Sequence, residues 1–490
     1  MAKELILAEE PIPAHETAVS HSQVLSLLLD QLRPIDFKQI VLQDSLKSLT
    51  RKHYLIIANE HLIDIANKQK WALCIKDGAI YVYNGAYWER NSEAELKYFL
   101  GKASERLGVD KYDAKFHKYQ DEMFRQFMCS AHLPKPVRDN DEVIINLENG
   151  TFHITPQTQL LKAFEKDDFL TYQLPFAFDE DAEAPQFTKY LNRVIPDVSQ
   201  QQILAEFIGH VFIKTSSLKL EKALILFGGG ANGKSVFFEI INALLGSENI
   251  SSYGLQSLTN ENGYYRAMIG NKLLNYTSEI SNNINSSVFK QLVSGEPIEC
   301  RLPYGAPFIM NDYAKLMFNA NELPKDVENT EAFFRRFLLL DFNVTIPEHE
   351  RDPELAKRII SQELPGIFNW VLDGLNRLLH SKKFTHSVVA DNLAKTYRQE
   401  SDTVHLFMDD CGYVSDIFEE IPLKVLYNEY KCYCIDSGYK LMSLKSYTDA
   451  LRRQGIRIHR KSEGNVVYVK KKCFEIPASA TLCTSNINLN

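Results

Sequence analysis

The sequence lacks the features that mark membrane and secreted proteins. Its 490 residues include no apolar run long enough for a membrane-spanning helix and no basic-then-apolar signal at the start. Its eight cysteines form no C-x-x-C pair and no zinc-like Cys/His spacing, which argues against a disulfide framework and a zinc site. We therefore expect reduced thiols, a cytoplasmic location and no membrane partner.

An excess of positive charge is also missing. The net charge of −8 excludes a protein that is basic over its whole surface, as a nucleic-acid coat would be. One segment departs from this balance, since ten lysines and arginines stand against two acids between Lys440 and Lys472. The composition therefore permits one local basic face.

A glycine-rich stretch separates two apolar runs in residues 223–246, ALILFGGGANGKSVFFEIINALLG. The first run is short, as in a buried parallel strand, and in the second the apolar residues recur at helical spacing up to Gly246. The intervening G-x-x-x-x-G-K-S is the spacing of a phosphate-binding loop, and strand-loop-helix is the context that this motif requires. The residues that we predict to hold phosphate are Gly228, Gly229, Gly230, Ala231, Asn232, Gly233, Lys234 and Ser235.

The loop predicts a site for a nucleoside triphosphate with Mg²⁺. Backbone N–H groups and the positive end of the following helix favour phosphate. Lys234 can reach the β- and γ-phosphates, and Ser235 can ligate Mg²⁺.

Hydrolysis also requires an acid on a neighbouring strand. The segment NKLLNYTSEI leads an apolar strand into Ser278 and Glu279, so Glu279 is the candidate catalytic acid and metal ligand. The alternative is a surface glutamate that ends a strand.

Two further motifs carry polar groups next to apolar strands. In AKLMFNANELP, Asn321 follows a strand and can hydrogen-bond the γ-phosphate or the attacking water, unless it only forms a turn. In ENTEAFFRRFLLLDF, Arg335 and Arg336 precede a strand and can act as an arginine finger, or as a salt-bridged surface pair.

This series of motifs resembles the superfamily 3 helicases, in particular the phage, plasmid and poxvirus primase-helicase family. The motifs occupy residues 222–342, and flanking segments such as YVYNGAYWERN and PQFTKYL extend the likeness to about residues 50–473. The resemblance implies an ATPase that forms rings, usually hexamers, with ATP and Mg²⁺ between subunits and single-stranded DNA in the channel. It assigns the role of catalytic acid to Glu279. It also implies an arginine finger that one subunit gives to its neighbour, and Arg335 and Arg336 match that finger equally well.

The resemblance also implies a DNA-gripping hairpin after SGEPIEC, with its tip near residues 301–305. Arg301 can contact phosphate and Tyr304 can stack on a base, whereas the alternative is a structural turn with Tyr304 in a core. Lys290 and Lys315 are weaker candidates for the same channel. A primase domain is not expected, because only about 50 residues precede the collar-like segment and no metal-binding acid motif occurs before residue 140; a separate primase or polymerase is a possible partner.

The C-terminal segment has the element order of a winged helix-turn-helix. Two short helices, PLKVLYNEYKCYCIDSG and SLKSYTDALRRQG, precede a hairpin that we expect to turn around residues 463–465. Lys445, Arg452 and Arg453 lie on or beside its second helix, and the hairpin adds further lysines and arginines. We interpret this basic cluster as a face for duplex or origin DNA, the alternative being a surface that pairs with an acidic patch on the same ring.

We therefore expect an α/β P-loop ATPase core (AAA+-like, with a parallel sheet), preceded by an α+β collar and followed by a winged helix. Within the collar we expect hairpins that turn at Asn84-Gly85 and Asn149-Gly150. The expected divisions are a tail and helix over 1–50, the collar over 51–200, the ATPase over 201–345, a helical segment over 346–400, the winged helix over 401–475 and a disordered tail over 476–490.

Three functions fit these motifs to different degrees. The favoured one is an ATP-driven, ring-forming DNA helicase that replicates a phage, plasmid or mobile element. An origin-binding initiator that uses ATP only to assemble is the alternative, which the basic C-terminal segment favours. A small-molecule P-loop kinase fits less well, because the order of Asn321 and the arginine pair and the basic C-terminus have no role in it.

Overall fold

The computed structural model describes residues 19–44, 48–76, 78–133, 142–278, 280, 284–324, 330–439 and 441–472. In this part of the chain no helix is long and apolar enough to cross a membrane. The same residues include three short 3₁₀ helices, at Lys166–Asp168, Ser247–Asn249 and Glu348–Glu350.

The N-terminal unit packs six helices around a three-stranded antiparallel sheet. Its helices are α1 His21–Gln31, α2 Phe37–Asp44, α3 Arg51–Lys68, α4 Glu93–Leu107, α5 Lys111–Lys115 and α6 His117–Ser130. Its strands are β1 Ala72–Lys76, β2 Ala79–Tyr83 and β3 Trp88–Asn91. The expected turn at Asn84-Gly85 joins β2 to β3, because the Asn84 side chain accepts from the N–H groups of Ala86 and Tyr87, both at 3.0 Å, and Gly85 has a φ of 102°.

A second antiparallel sheet packs against the nucleotide-binding core. Its strands are β4 Val143–Leu147, β5 Gly150–Ile154 and β6 Gln159–Lys162. The hairpin expected at Asn149-Gly150 joins β4 to β5 but turns one residue earlier, at Glu148-Asn149, and Gly150 begins β5. Only glycine fits at that position, since a Cβ on Gly150 would lie 2.4 Å from the carbonyl oxygen of Lys162. Phe152 and Ile154 of this sheet share one hydrophobic core with the central sheet.

The core of the molecule is a five-stranded parallel sheet. Its strands are β7 Ala223–Phe227, β8 Ile250–Ser251, β9 Leu274–Thr277, β12 Lys315–Ala320 and β13 Phe337–Asp341. Their order across the sheet is β13-β7-β12-β9-β8, and β7 to β9, β12 and β13 are almost entirely buried, as expected for a sheet covered on both faces. A separate antiparallel hairpin, β10 Ile298–Arg301 with β11 Pro307–Met310, stands outside this sheet.

Helices cover both faces of the sheet. They are α7 Pro185–Val194, α8 Val198–His210, α9 Lys234–Leu245, α10 Leu255–Leu258, α11 Tyr264–Ala267, α12 Ser286–Val293, α13 Glu331–Phe334, α14 Leu355–Ser381 and α15 Val388–Glu400. Helices α8 and α14 cross at close range, where a Cβ on Gly209 would lie 2.8 Å from Leu375 Cβ and one on Gly374 would lie 2.4 Å from the Ala205 backbone. Small residues at this crossing therefore fix how closely the two helices approach.

The C-terminal unit contains α16 Thr403–Asp410, β14 Tyr413–Ser415, β15 Ile421–Pro422, α17 Leu423–Asp436, α18 Leu444–Arg453, β16 Ile458–Lys461, β17 Gly464–Val467 and β18 Val469–Lys471. The strands form one sheet of order β15-β17-β16 and a pair β14-β18. Both expected helices and the hairpin are present, but the hairpin turns at Ser462-Glu463, one residue earlier than expected, and Gly464 begins the second strand.

Candidate functional site

The glycine loop lies between the carboxyl end of β7 and the start of α9. Gly228 has a φ of 154°, and a Cβ there would lie 2.2 Å from the carbonyl oxygen of Phe342. Gly233 has a φ of 89°, and a Cβ there would lie 2.8 Å from Val194. The loop therefore needs glycine at both positions, whereas Gly229 and Gly230 face open space, as a cradle for a ligand requires.

Lys234 begins α9 and points back into the loop. Its buried Nζ donates to the carbonyl oxygens of Gly228 at 2.6 Å and Gly229 at 3.0 Å, and to Asn232 Oδ1 at 3.0 Å. All three acceptors are neutral, and burial lowers the pKa of the Lys234 ammonium below its ordinary value. A buried cation among neutral acceptors beside a helix N-terminus fits an anionic phosphate group, so these residues fit a nucleoside triphosphate.

Asn232 and Tyr190 hold the loop in shape. The buried Asn232 amide donates to the Phe342 carbonyl oxygen at 2.6 Å, and the Ile346 N–H donates to the Ala231 carbonyl oxygen at 2.7 Å. Tyr190 on α7 donates its hydroxyl to the Gly233 carbonyl oxygen at 2.8 Å. The motif predicted Asn232 as a loop residue, whereas no local signal revealed the role of Tyr190, which comes from a distant helix.

The other predicted polar residues follow strands of the same sheet. Ala320, the last residue of β12, pairs with Phe227, so Asn321 follows its strand at the level where Gly228 follows β7, and its side chain is exposed. Ser235 is exposed in the first turn of α9, where a metal ligand would stand. Glu279 lies outside the described residues; the strand that precedes it, β9, ends at Thr277, and β12 lies between it and β7.

Asp341 is an acid at this sheet edge that the sequence reasoning missed. It ends β13 opposite Phe227, its carboxylate accepts from Asn343 Nδ2 at 2.8 Å, and burial raises its pKa. The LLLD sequence alone gave no sign of this, because the pairing of β13 with β7 is a long-range feature.

The two neighbouring arginines stand in different environments. The Arg335 side chain is 59% exposed, and one guanidinium nitrogen lies 3.3 Å from Glu221 Oε2. The Arg336 side chain is only 10% exposed and donates to Ser294 Oγ at 3.0 Å and to the carbonyl oxygen of Ala332. Both precede β13 at the amino edge of the sheet, because Ala223 donates its N–H to the Arg336 carbonyl oxygen.

That edge is opposite to the phosphate loop. The strand between them, β7, has five residues, which span about 17 Å at the usual rise per residue. Arg335 is therefore remote from the phosphate loop of its own chain and open to solvent.

The hairpin of β10 and β11, with the connection 302–306, is termed the projecting hairpin. Tyr304 at its tip is fully exposed with a φ of 60°, so a core position for this ring is wrong. Arg301 is exposed and donates through Nε to the Gly305 carbonyl oxygen at 2.9 Å, while Lys290 on α12 is half-buried.

Lys315 does not fit the channel expected for it. Its Nζ donates to Thr215 Oγ1 at 2.6 Å, and burial lowers its pKa to about 8. The expectation fails because Lys315 begins the buried strand β12.

The basic C-terminal residues divide into two groups. Lys445, Arg452 and Arg453 are exposed on α18, where positions 445 and 452 are seven residues apart and share a face. On the strands, Lys461, Lys470 and Lys471 form ion pairs with Glu420, Asp416 and Glu429 of the same unit. Arg452 also pairs with Asp449 of α18 at 3.3 Å, whereas Arg457 and Arg460 of the hairpin segment are exposed. Exposed positive charge therefore lies both on α18 and on the hairpin.

Three family models match the chain. A model described as D5 N terminal like matches residues 49–196, a family of unknown function (DUF5906) matches residues 226–336, and a model described as Poxvirus D5 protein-like matches residues 399–472. The second of these matches contains the phosphate loop and ends at Arg336.

The individual relatives have low sequence identity to this chain. A protein of Acanthamoeba polyphaga mimivirus named as a "putative helicase" is 24% identical over 268 residues, which are 51% of this chain and 27% of the relative. The chain thus matches about a quarter of that relative's length. Two apo structures of the NrS-1 C-terminal region are each 11% identical, with TM-scores of 0.45 and 0.46, over 83% and 84% of this chain and 97% and 98% of theirs.

Proposed function

The chain belongs to the superfamily 3 helicases of the phage, plasmid and poxvirus primase-helicase type, and on this premise we propose that it is an ATP-driven, ring-forming DNA helicase. Its place would be the replication of a phage, plasmid or other mobile element. Helicase-like replication proteins are the class that the family matches support. We further propose that the chain uses ATP and Mg²⁺, that it assembles into a ring, and that its residues have the roles given below.

The observation that carries the proposal is the separation of two half-sites on one sheet. The phosphate loop with Lys234 lies at the carboxyl edge, and the exposed Arg335 lies at the amino edge, about 17 Å of strand away. Within one subunit, Arg335 is too far from the phosphate loop to contact a phosphate bound there. Head-to-tail contact of two copies would bring Arg335 of one to the loop of the next, and repeated contacts of this kind form a ring where the rotation between copies closes on itself.

Each candidate residue then has a task. Bound ATP with Mg²⁺ would supply the phosphoanhydride bond whose hydrolysis drives movement. Lys234 would neutralise the phosphate charge, Ser235 would hold the metal with Glu279, and Asn321 would orient the attacking water. Arg335 would stabilise the charge that develops in the neighbouring site, and Arg336 would hold the segment before β13 that contains Arg335.

Nucleic acid would be held at two surfaces. The projecting hairpin offers an exposed ring, Tyr304, and an exposed guanidinium, Arg301, which suit stacking on and charge contact with a single strand. The basic face of α18, with Lys445, Arg452 and Arg453, suits the backbone of a duplex or an origin.

The test is ATP hydrolysis and strand displacement on a forked duplex. A helicase hydrolyses ATP faster when single-stranded DNA is added, and it displaces the labelled strand only with hydrolysable ATP. An ATP-dependent origin-binding initiator, which the basic face of α18 favours, would bind duplex DNA with ATP but displace no strand. A protein that neither binds nor hydrolyses ATP would overturn both functions.

A further inference from the structure

Glu221 has an unusual backbone conformation. Its φ is 53°, in the left-handed region that few residues other than glycine adopt, although it stands directly before Lys222 and the start of β7. Its carboxylate has three cationic neighbours: Arg335 at 3.3 Å, Arg336 at 3.5 Å and Lys219 at 3.5 Å. A strained backbone is retained where the surrounding contacts over-determine it, so these ion pairs are a reason for the conformation.

The same carboxylate is linked to the base of the projecting hairpin by two routes. The first runs through Arg336, which donates to the hydroxyl of the fully buried Ser294 at 3.0 Å. The second runs through Lys219, whose Nζ lies 3.7 Å from Glu296 Oε1. Ser294 and Glu296 both belong to the link between α12 and β10.

The hairpin is fixed to this link from its other end as well. Tyr313, which follows β11, donates its hydroxyl to the Glu296 carbonyl oxygen at 2.9 Å. A displacement of the hairpin would therefore act on residues 294–296 and, through them, on Arg336 and Lys219.

We propose that Glu221 is a positioning residue that couples the projecting hairpin to Arg335. The argument rests on the proposed function, in which Arg335 acts on the neighbouring ATP site. One oxygen, Oε2, contacts both arginines, so a shift of Arg336 with Ser294 changes the position and the field that Arg335 experiences. Nucleic acid on the hairpin thereby sets how the finger is presented to the next subunit.

The first variant is Glu221→Gln, which keeps the shape of the side chain and removes its charge. We measure kcat and KM for ATP of the full chain with and without a poly-dT oligonucleotide. Glu350→Gln is the matched control. The Glu350 carboxylate also accepts a hydrogen bond from an arginine, Arg193, at 2.8 Å, but it lies outside the set of residues that links Glu221 to the hairpin. We expect the stimulation by DNA to fall about tenfold in Glu221→Gln, with KM and basal hydrolysis unchanged, and to persist in the control.

A second pair of variants separates the carboxylate from its backbone. Glu221→Gly accepts the left-handed conformation without strain, so it is expected to lose the stimulation without a loss of thermal stability. Ser294→Ala interrupts the first route alone and should reduce the stimulation in part.

The possible results distinguish this coupling from the proposed function. If wild-type protein is stimulated by DNA and Glu221→Gln and Glu221→Gly are stimulated equally, the coupling is wrong while the helicase remains. If Glu221→Gln loses basal hydrolysis and DNA-stimulated hydrolysis in proportion, Glu221 supports Arg335 or the fold equally with and without DNA, and the coupling is also wrong. If wild-type protein shows no DNA-stimulated hydrolysis, the proposed function fails and the coupling fails with it.

Discussion

Replacing Arg335 and Arg336 by alanine, one at a time, should give two different kinds of damage. The Arg336 guanidinium is buried and bonded to Ser294 Oγ and the Ala332 carbonyl oxygen. The Arg335 guanidinium is mostly exposed and has one ion pair, with Glu221. Arg336→Ala should therefore reduce stability, and Arg335→Ala should reduce hydrolysis alone.

The magnitudes follow from the two environments. Loss of the Arg336 hydrogen bonds, with a buried hydroxyl left unsatisfied, should cost about 3 kcal/mol. For a domain of about 150–250 residues, a loss of this size lowers the apparent Tm by roughly 6–12 °C. The exposed Arg335 ion pair contributes less than about 1 kcal/mol, so its removal should lower Tm by no more than about 4 °C.

The assay combines thermal unfolding, followed by circular dichroism, with steady-state ATP hydrolysis. Arg335→Ala should lower kcat about 10³-fold with only the small loss of Tm given above, because an arginine finger contributes on that scale. Arg336→Lys, which keeps the charge but not the planar fork, should recover only part of the stability. The reasoning is refuted if Arg336→Ala unfolds at the wild-type temperature, or if Arg335→Ala hydrolyses ATP at the wild-type rate.

Four further results are expected. Lys234→Ala should abolish hydrolysis, because it removes the charge that holds the phosphates; a near wild-type rate would contradict the loop assignment. Glu279→Gln should bind ATP in a filter assay but not turn it over, since an amide is a poor base, and normal turnover would move the acid elsewhere, Asp341 being the next choice. Lys315→Met should be more stable than wild type at pH 7 by about 3 kcal/mol, because the folded pKa of Lys315, about 8, lies below its unfolded value and its protonation opposes folding. This difference in stability should shrink from pH 8 to 10, as Lys315 loses its proton in the folded protein. A pH-independent difference in urea unfolding would contradict this. Deletion of residues 401–490 should weaken duplex binding and its salt dependence while basal hydrolysis persists, and unchanged binding at several salt concentrations would exclude α18 as the duplex face.

Local signals predicted much of the fold. The apolar run before the glycines forms a strand with the expected bounds, Ala223–Phe227, and α9 ends at Leu245, directly before Gly246. Both hairpins predicted from Asn-Gly pairs are present, because such pairs favour a turn in most surroundings. The one predicted at Asn149-Gly150 turns one residue earlier, at Glu148-Asn149. Such features depend on neighbours in sequence, and so they can be read from a single chain.

Features that depend on distant contacts were not available from the sequence. Arg335 and Arg336 are the same residue type in adjacent positions, and their environments differ because Arg336 is buried against partners that include the distant Ser294. Likewise, Lys315 has a basic side chain beside an apolar strand, and its burial against Thr215 comes from a loop 100 positions away. The insertion of β12 between β7 and β9 follows from strand pairing, which no local pattern encodes.

The most direct test of the account mixes two inactive variants. Lys234→Ala has no working phosphate loop but an intact Arg335, and Arg335→Ala has the reverse. In a mixed ring at equal amounts, about a quarter of the interfaces would join an intact loop to an intact finger. If Arg335 acts on the neighbouring site, mixing restores ATP hydrolysis to about that fraction of the wild-type rate per site. No hydrolysis in the mixture, with assembly confirmed by mass photometry, would contradict it.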